Sequence, residues 1–306
     1  MNEAQKLEAI GLLESGWNKQ AISDHLGIPR KTVSDFLNKK SHRDWWVQHE
    51  GTAEGPRILM LDIETAPTLG YVWGRFKQYL SQDQIVEEGY VLCWAAKWLD
   101  EDQIFFNRIS DPRTEDDKMI ILDVWKLLDA CDIIVCHNAA GFDIPTLNAR
   151  FVYHGLPEPS PYKVVDTLQI AKKRFRFPSN KLESLAVHLG LQEKMSHSGF
   201  DLWRRVMRNE SKAWVEMEDY NRQDVVVLEE IYKVLRPWDR RHPNVGLYYQ
   251  DQEFRCTVCG EQSLSPVGKT LTSLSVFQAY QCDACGHIMR DRVRQNSLKG
   301  VLVNAN

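Results

Sequence analysis

The chain has 306 residues, 43% of them hydrophobic and 26% charged, with a net charge of -4. That length suggests two domains, or three if the outer ones are small, with apolar material enough for a real core. No apolar run approaches the ~18 residues of a membrane helix, and the polar start Met1-Asn2-Glu3-Ala4-Gln5-Lys6 does not read as a secretory leader, so a soluble cytoplasmic protein with no membrane partner is expected.

The charge is unevenly spread. Residues 1–50 are neutral, 51–161 carry -9, 162–212 carry +6, 213–235 carry -4 and 236–306 carry +3. Acids concentrated between basic segments suit either a metal-filled cleft with phosphate-binding walls or ordinary solvated charge.

In chain order, residues 1–46 read as a small helical unit. Apolar spacing over Lys6–Leu13 predicts one helix, and Lys19–Leu37 predicts two more around a turn at Gly27. Ile22, Leu26, Ile28, Val33 and Phe36 form the expected core, and small Ser23 permits close packing. The pattern resembles a helix-turn-helix, whose second helix would offer Arg30, Lys31, Thr32 and Ser34 to DNA. A protein-docking role for the same unit stays open. A linker is expected over 47–56, where Gly51, Gly55 and Pro56 break any periodicity.

The next stretch, Leu59-Met60-Leu61-Asp62-Ile63-Glu64-Thr65, reads as an apolar strand with two acids. Strand side chains alternate faces, so Asp62 and Glu64 project from the same side. Neighbouring carboxylates in an apolar setting repel and lose hydration, which calls for a divalent cation between them. Strands are expected at Tyr90–Leu99, Gln103–Ile109, Asp132–Asn138 and Val164–Val165. Helices are expected at Thr114–Ala130, Ile144–His154, from Thr167, at Leu182–Leu189, Leu202–Val206 and Ser211–Val234. Strands first, then strands alternating with helices, indicate an α/β domain with a mixed sheet over 57–236.

Two more acidic motifs follow. His137-Asn138-Ala139-Ala140-Gly141-Phe142-Asp143 spans a strand-to-helix junction, where α/β sheets place ligand groups; Asp143 could equally be a helix cap. Tyr220 and Asp224 are i and i+4 on the long helix and share a face. D-x-E, then N-x-x-x-F-D, then Y-x-x-x-D, in that order, resemble the motifs of the DEDD superfamily of 3′→5′ exonucleases, which have a ribonuclease H-like fold. Tyr220 matches the tyrosine subclass. Asp166-Thr167-Leu168 and Lys181-Leu182-Glu183-Ser184-Leu185-Ala186 are similar to family segments as well.

The resemblance implies that Asp62, Glu64, Asp143 and Asp224 hold two divalent ions, Mg²⁺ or Mn²⁺, with Tyr220 orienting the attacking water. Four carboxylates balance the charge of two such ions, and oxygen donors suit hard cations. DNA is the expected substrate because a helix-turn-helix suits the wide major groove of B-form duplex, with unpaired or frayed 3′ ends as the point of attack. Thr65 is expected at the terminal nucleotide, and His137 and Asn138 as strand-terminal groups supporting the site, Asn138 also within reach of nucleic acid. Exonuclease polarity comes from the resemblance, since the acids alone fit any two-metal phosphodiesterase. A structure-selective endonuclease, an RNA exonuclease of the same fold and a non-catalytic DNA-binding regulator remain alternatives. The combination resembles accessory nucleases of bacteriophages or bacteria, a resemblance that implies a replication or recombination protein as a candidate partner.

Lys172-Lys173-Arg174-Phe175-Arg176-Phe177 interleaves cations and rings. Either Lys172, Arg174 and Arg176 grip phosphate while the rings stack on bases, or the rings are core and the cations solvated. Trp203 with Arg204 and Arg205 poses the same choice, and Asp201 reads as structural. Cys93, Cys131 and Cys136 sit singly in apolar runs and read as buried thiols. Cys256, Cys259, Cys282 and Cys285 form two C-x-x-C-G knuckles that resemble a zinc ribbon over 254–290, with one structural Zn²⁺. A linker over 237–253 and a patternless tail over 291–306 complete the expected organisation.

Overall fold

The computed structural model describes residues 1–14, 17–37, 55–74, 76–191, 199–251 and 253–303. Most of the expected linker (47–54), residues 38–46 of the N-terminal unit and tail residues 304–306 lie outside the described residues, as do the Leu7 and Leu13 side chains.

The N-terminal unit contains α1 (Glu3–Glu14), α2 (Lys19–Leu26) and α3 (Arg30–Leu37). Asn18 caps α2, its Oδ1 accepting the Gln20 and Ala21 amides at 3.0 and 2.9 Å. Gly27 ends that helix at φ 63°, a conformation that suits a residue without Cβ. Ser23 is buried and donates to the Ile28 carbonyl at 2.6 Å, closing the turn. Ala9, Ile10, Ile22, Val33, Phe36 and Leu37 make the core, with Leu26 and Ile28 packed partly against it.

The central sheet is built on β1 (Ile58–Thr65). The chain then makes a small hairpin, β2 (Leu69–Gly70) with β3 (Ile85–Glu87), and returns as β4 (Val91–Trp98) and β5 (Ile104–Arg108). Helix α4 (Lys118–Ala130), β6 (Ile133–Cys136), α5 (Asp143–Tyr153), β7 (Lys163–Asp166), α6 (Thr167–Arg174) and α7 (Leu182–His188) follow. Helices α8 (Phe200–Met207) and α9 (Ser211–Leu235) close the domain. Strand order is β5-β4-β1-β6-β7, with β4 and β5 antiparallel and β6 and β7 parallel to their neighbours. The expected mixed α/β sheet is present, and β1 lies at its centre.

Alternation along β1 decides which face carries chemistry. Leu59, Leu61 and Ile63 belong to one core cluster, with Ile120, Val124, Leu128 and Leu147. Ile58 and Met60 belong to the other, with Val225, Leu228 and Ile231 of α9. Asp62 and Glu64 continue the second row, so they emerge beneath α9. That helix buries Trp214, Met217, Asn221, Val225, Leu228, Tyr232 and Leu235, a stripe at three- and four-residue intervals. Lys97 of β4 is buried against Glu229 of α9, and Glu229 also accepts the Asp100 amide at 3.0 Å. This ion pair fixes the helix over the sheet.

Several boundaries differ from expectation. The helix expected from Thr114 starts at Lys118, because Pro112–Thr114 forms a 3-10 turn ending in left-handed Glu115 (φ 56°). Asp117, just before it, is fully buried, accepting Val91 N at 3.0 Å and Arg150 Nε at 2.7 Å, with His154 Nε2 2.6 Å away. The stretch 237–253, expected as a linker, is packed: Val245 is buried, Tyr248 and Tyr249 lie against the core, and the Val245 amide donates to the Thr257 carbonyl at 2.9 Å. The C-terminal sheet, β8 (Leu264–Leu271), β9 (Val276–Cys282) and β10 (Ile288–Arg294), extends past residue 290, so part of the expected tail is strand. Ile-Met-Arg-Asp-Arg-Val-Arg is an exposed edge whose polar residues hide its strand character from a hydropathy pattern.

Candidate active site

Three elements converge at the end of β1. One carboxylate oxygen from each of Asp62, Glu64 and Asp224 lies within 4.8 Å of the others. Asp62 and Glu64 come from β1 and Asp224 from α9, where Tyr220 sits one turn earlier and donates its hydroxyl hydrogen to Asp224. Asn221, between them, donates Nδ2 to Asp62 Oδ2 at 2.7 Å and to the Asp62 carbonyl at 3.3 Å. Asp143, the first residue of α5, is 2% exposed and accepts the Ile63 amide, between the two β1 acids. It stands outside the mutual 4.8 Å group, yet its charge acts on both Asp62 and Glu64. A bulge between Glu64 and Thr65 in the β1–β4 ladder ends regular pairing at this point.

Every acid here resists ionisation. Burial, then the charges of Glu64, Asp224 and Asp143, push Asp62 far above the ordinary carboxylate range, with Asn221's hydrogen bond opposing. Burial followed by Asp224 and Asp143 raises Glu64 to about 8. Burial lifts Asp143 to about 7 and Asp224 to about 6; Tyr220's hydrogen bond lowers the latter and Glu183's charge raises it. Tyr220 is itself pushed up, by burial and then by Asp224, so its hydroxyl keeps its proton. Asn221 Oδ1 and Glu183 Oε1 are buried without a hydrogen-bond partner among the described residues. A cluster of hard oxygens that repel one another, beside orphaned acceptors, fits a divalent cation.

Residues 86–236 match the family model of the RNase H superfamily, and residues 1–51 match that of a homeodomain-like domain. The protein carries an RNase H-like domain. No curated protein matches the chain. The matched span begins after β1, but β1 is hydrogen-bonded to β4 and β6, both inside that span, and is integral to the sheet. An RNase H-like domain supports a nucleic-acid-cleaving hydrolase that uses divalent metal, and the homeodomain-like unit adds nucleic-acid binding.

Around the acids of the RNase H-like domain, the other candidates divide. Thr65 and Pro67 line a cavity of about 290 Å³ with Gly199, Phe200 and Trp203, and the Trp203 ring meets Tyr220 edge-on at 6.2 Å. Arg204 pairs with Asp201, and Arg205 with Glu216 and Glu210, so those cations are engaged by acids while Trp203 serves the cavity. Asn138, two residues past the end of β6, takes φ 86°, and a Cβ on Gly141 would stand 2.6 Å from its Oδ1, so a larger residue there would displace the Asn138 side chain. Asp166 braces the same loop, accepting the Asn138 and Ala140 amides at 3.1 and 3.4 Å. His137 faces away from the acids, with Thr167 Oγ1 and the Asn180 carbonyl each 2.8 Å from its ring nitrogens. Phe175 and Phe177 stack at 4.9 Å and pack on the core, leaving Lys172, Arg174 and Arg176 exposed: the rings are structural and only the cations face outward. Arg30, Lys31 and Thr32 are exposed along α3, and Ser34 partly so.

The four knuckle cysteines gather as well. Cys256 and Cys285 sulfurs are 3.6 Å apart, as are those of Cys259 and Cys282. A disulfide needs ~2.05 Å, whereas a tetrahedron with Zn–S of ~2.3 Å has edges of about 3.8 Å. The knuckles repeat one geometry: Gly260 and Gly286 take φ 81° and 77°, and their amides return to the Cys256 and Cys282 carbonyls at 3.0 and 2.9 Å. His287 lies outside the sulfur group, its Nδ1 2.7 Å from the Pro237 carbonyl. Cys93, Cys131 and Cys136 are buried as expected.

Sequence reasoning missed Asn221, Glu183 and Phe200. For Asn221 a signal existed, since it occupies an apolar position of the α9 stripe. Glu183 lies in the Lys181–Ala186 segment that is similar to family segments, and nothing local marks Phe200.

Proposed function

We propose that this protein is a metal-dependent 3′→5′ exonuclease acting on DNA at unpaired or frayed 3′ ends. The observation that carries the reading is the meeting of Asp62, Glu64 and Asp224 within 4.8 Å, from a strand and a helix 160 residues apart in sequence. Asp62, Glu64 and Asp224, with Asp143 alongside, would hold Mg²⁺ or Mn²⁺. Such ions supply charge neutralisation and Lewis acidity to phosphodiester hydrolysis.

The chain's own groups prepare that site. Asn221, fully buried, holds Asp62 by donating to both its carboxylate and its backbone carbonyl. Tyr220 is too strongly protonated to be a base; it acts as a donor that orients Asp224 or an attacking water. The cavity of Thr65, Pro67, Phe200 and Trp203 is apolar, beside Tyr220, and large enough for a terminal nucleobase. Helix α3 would dock duplex DNA through Arg30, Lys31, Thr32 and Ser34, with Lys172, Arg174 and Arg176 adding phosphate contacts. One zinc ion on Cys256, Cys259, Cys282 and Cys285 would be structural, since four thiolates close its shell.

The test is a time course with 5′-labelled single-stranded DNA, duplex DNA and RNA, with Mg²⁺, Mn²⁺ or neither. A metal-dependent ladder shortening from the 3′ end is expected, with intact circular single strands. Equal hydrolysis by Asp62→Asn and the wild type would overturn the assignment, and linearised circles would make it an endonuclease.

A further inference from the structure

The hairpin between β1 and β4 has no part in the site described so far. Its base is firmly built: Leu69 pairs with Glu87 and Gly70 with Ile85. The Tyr71 amide donates to the Gln84 carbonyl at 2.8 Å, and Gln84 Nε2 donates back to the Tyr71 carbonyl at 3.0 Å. Ser81 and Gln84 form a capping box around the turn that leads into β3. This frame displays Tyr71, Trp73, Phe76 and Tyr79, which are 76%, 98%, 86% and 94% exposed.

Four rings held in water forgo the burial that aromatic residues usually provide, which marks an interaction surface. Their chemistry selects the occupant. A ring lying in a docking patch rests one face on its own fold, whereas rings as bare as Trp73 and Tyr79 have both faces open, the arrangement that stacking between planar groups requires. The hairpin sequence over 69–87 sets Arg75 and Lys77, on either side of Phe76, against Asp83 and Glu87 nearer its base, a neutral segment within a region, 51–161, that carries -9 overall. Cations interleaved with open rings complement the phosphates and bases of an unpaired strand. The location agrees. The hairpin grows from the acid end of β1, where the Ala66 amide donates to the Tyr90 carbonyl at 2.8 Å and regular β1–β4 pairing stops.

We propose that the hairpin over 69–87 is a stacking platform for the unpaired bases of the strand whose end lies at Asp62 and Glu64. This rests on the nuclease reading above and adds a substrate-holding surface to it. It also makes long single strands better substrates than short ones.

Binding is measured by anisotropy of a fluorescein-labelled oligo(dT) 20-mer in an Asp62→Asn background with Mg²⁺ present. Trp73→Ala and Tyr79→Ala are each expected to weaken binding about tenfold, the double variant more. A blunt duplex of equal length should bind within twofold of the parent. In the otherwise wild-type enzyme, the same substitutions should leave turnover of the p-nitrophenyl ester of thymidine 5′-monophosphate unchanged, because one nucleotide reaches only the acids. Unchanged oligo(dT) binding overturns the proposal, as does an equal loss for duplex. So does a dimer that becomes monomeric on Trp73→Ala, which would make the hairpin a self-association face. Failure of the wild type to hydrolyse either substrate sinks the nuclease reading. Hydrolysis by the wild type with unaltered variant binding sinks the platform alone.

Discussion

Replacing Glu64 by Gln should stabilise the protein in divalent-free buffer while abolishing hydrolysis. Glu64 is raised from 4.5 to about 8, first by burial and then by Asp224 and Asp143. Between those values the folded state holds a proton that the unfolded state has released, so stability falls as pH rises across that window. Glu64's contribution is therefore intact below pH 4.5 and lost as pH climbs through 8. At 1.36 kcal/mol per pKa unit, the penalty is below about 1 kcal/mol at pH 5 and about 4 kcal/mol at pH 7.5. Glutamine cannot ionise and escapes it. For a domain of this size the gain corresponds to a rise in melting temperature of roughly 8–16 °C at pH 7.5, shrinking to a few degrees at pH 5. Scanning calorimetry on dialysed protein, without chelator so that the cysteine cluster is undisturbed, measures both points. Added Mg²⁺ should raise the wild-type midpoint at pH 7.5 and leave Glu64→Gln nearly unmoved. A variant less stable than the wild type at pH 7.5, or one with the same pH slope, would refute the account of the site as repelling carboxylates awaiting a cation.

Three further outcomes follow from single contacts. Asn221→Leu continues the apolar stripe of α9 and removes an amide whose Oδ1 has no partner among the described residues. Its melting temperature should stay level or rise while kcat falls at least tenfold, because Asp62 loses its Nδ2 donor. Lys97→Ala removes the β4 partner of Glu229, which keeps Lys233 at 2.6 Å and the Asp100 amide, and should cost about 1.5–3 kcal/mol in chemical denaturation. Cys282→Ser should lower bound zinc from one equivalent to a small fraction by atomic absorption, and proteolysis should then remove the C-terminal sheet while the RNase H-like domain survives.

Much of the site was legible because strand and helix periods translate spacing into direction. The two-residue interval of Asp62 and Glu64 places them on one face of β1 whatever else the chain does, and the four-residue interval of Tyr220 and Asp224 does the same on α9. The paired C-x-x-C-G knuckles are equally local, since each glycine turn aims its own sulfurs. Other features depend on partners remote in sequence. Phe175 and Phe177 share an interleaved basic segment with Arg174 and Arg176, and only the packing of Trp238 and His188 makes those rings structural. The β2–β3 hairpin is too short to show a period, and β10 is a polar edge.

Residue order by itself determined the mixed α/β class, the helical N-terminal unit, the two thiol knuckles and the directions of the acids, since each follows from backbone geometry within a few residues. Only the tertiary structure decided that Asp224 meets Asp62 and Glu64 while Asp143 reaches in through the Ile63 amide, that Asn221 is a clamp, and that four rings of one hairpin stand in water. Those outcomes turn on where α9 and α5 cross the sheet. That placement is set by core packing and by the buried Lys97–Glu229 pair, contacts between segments more than a hundred residues apart that no local pattern encodes.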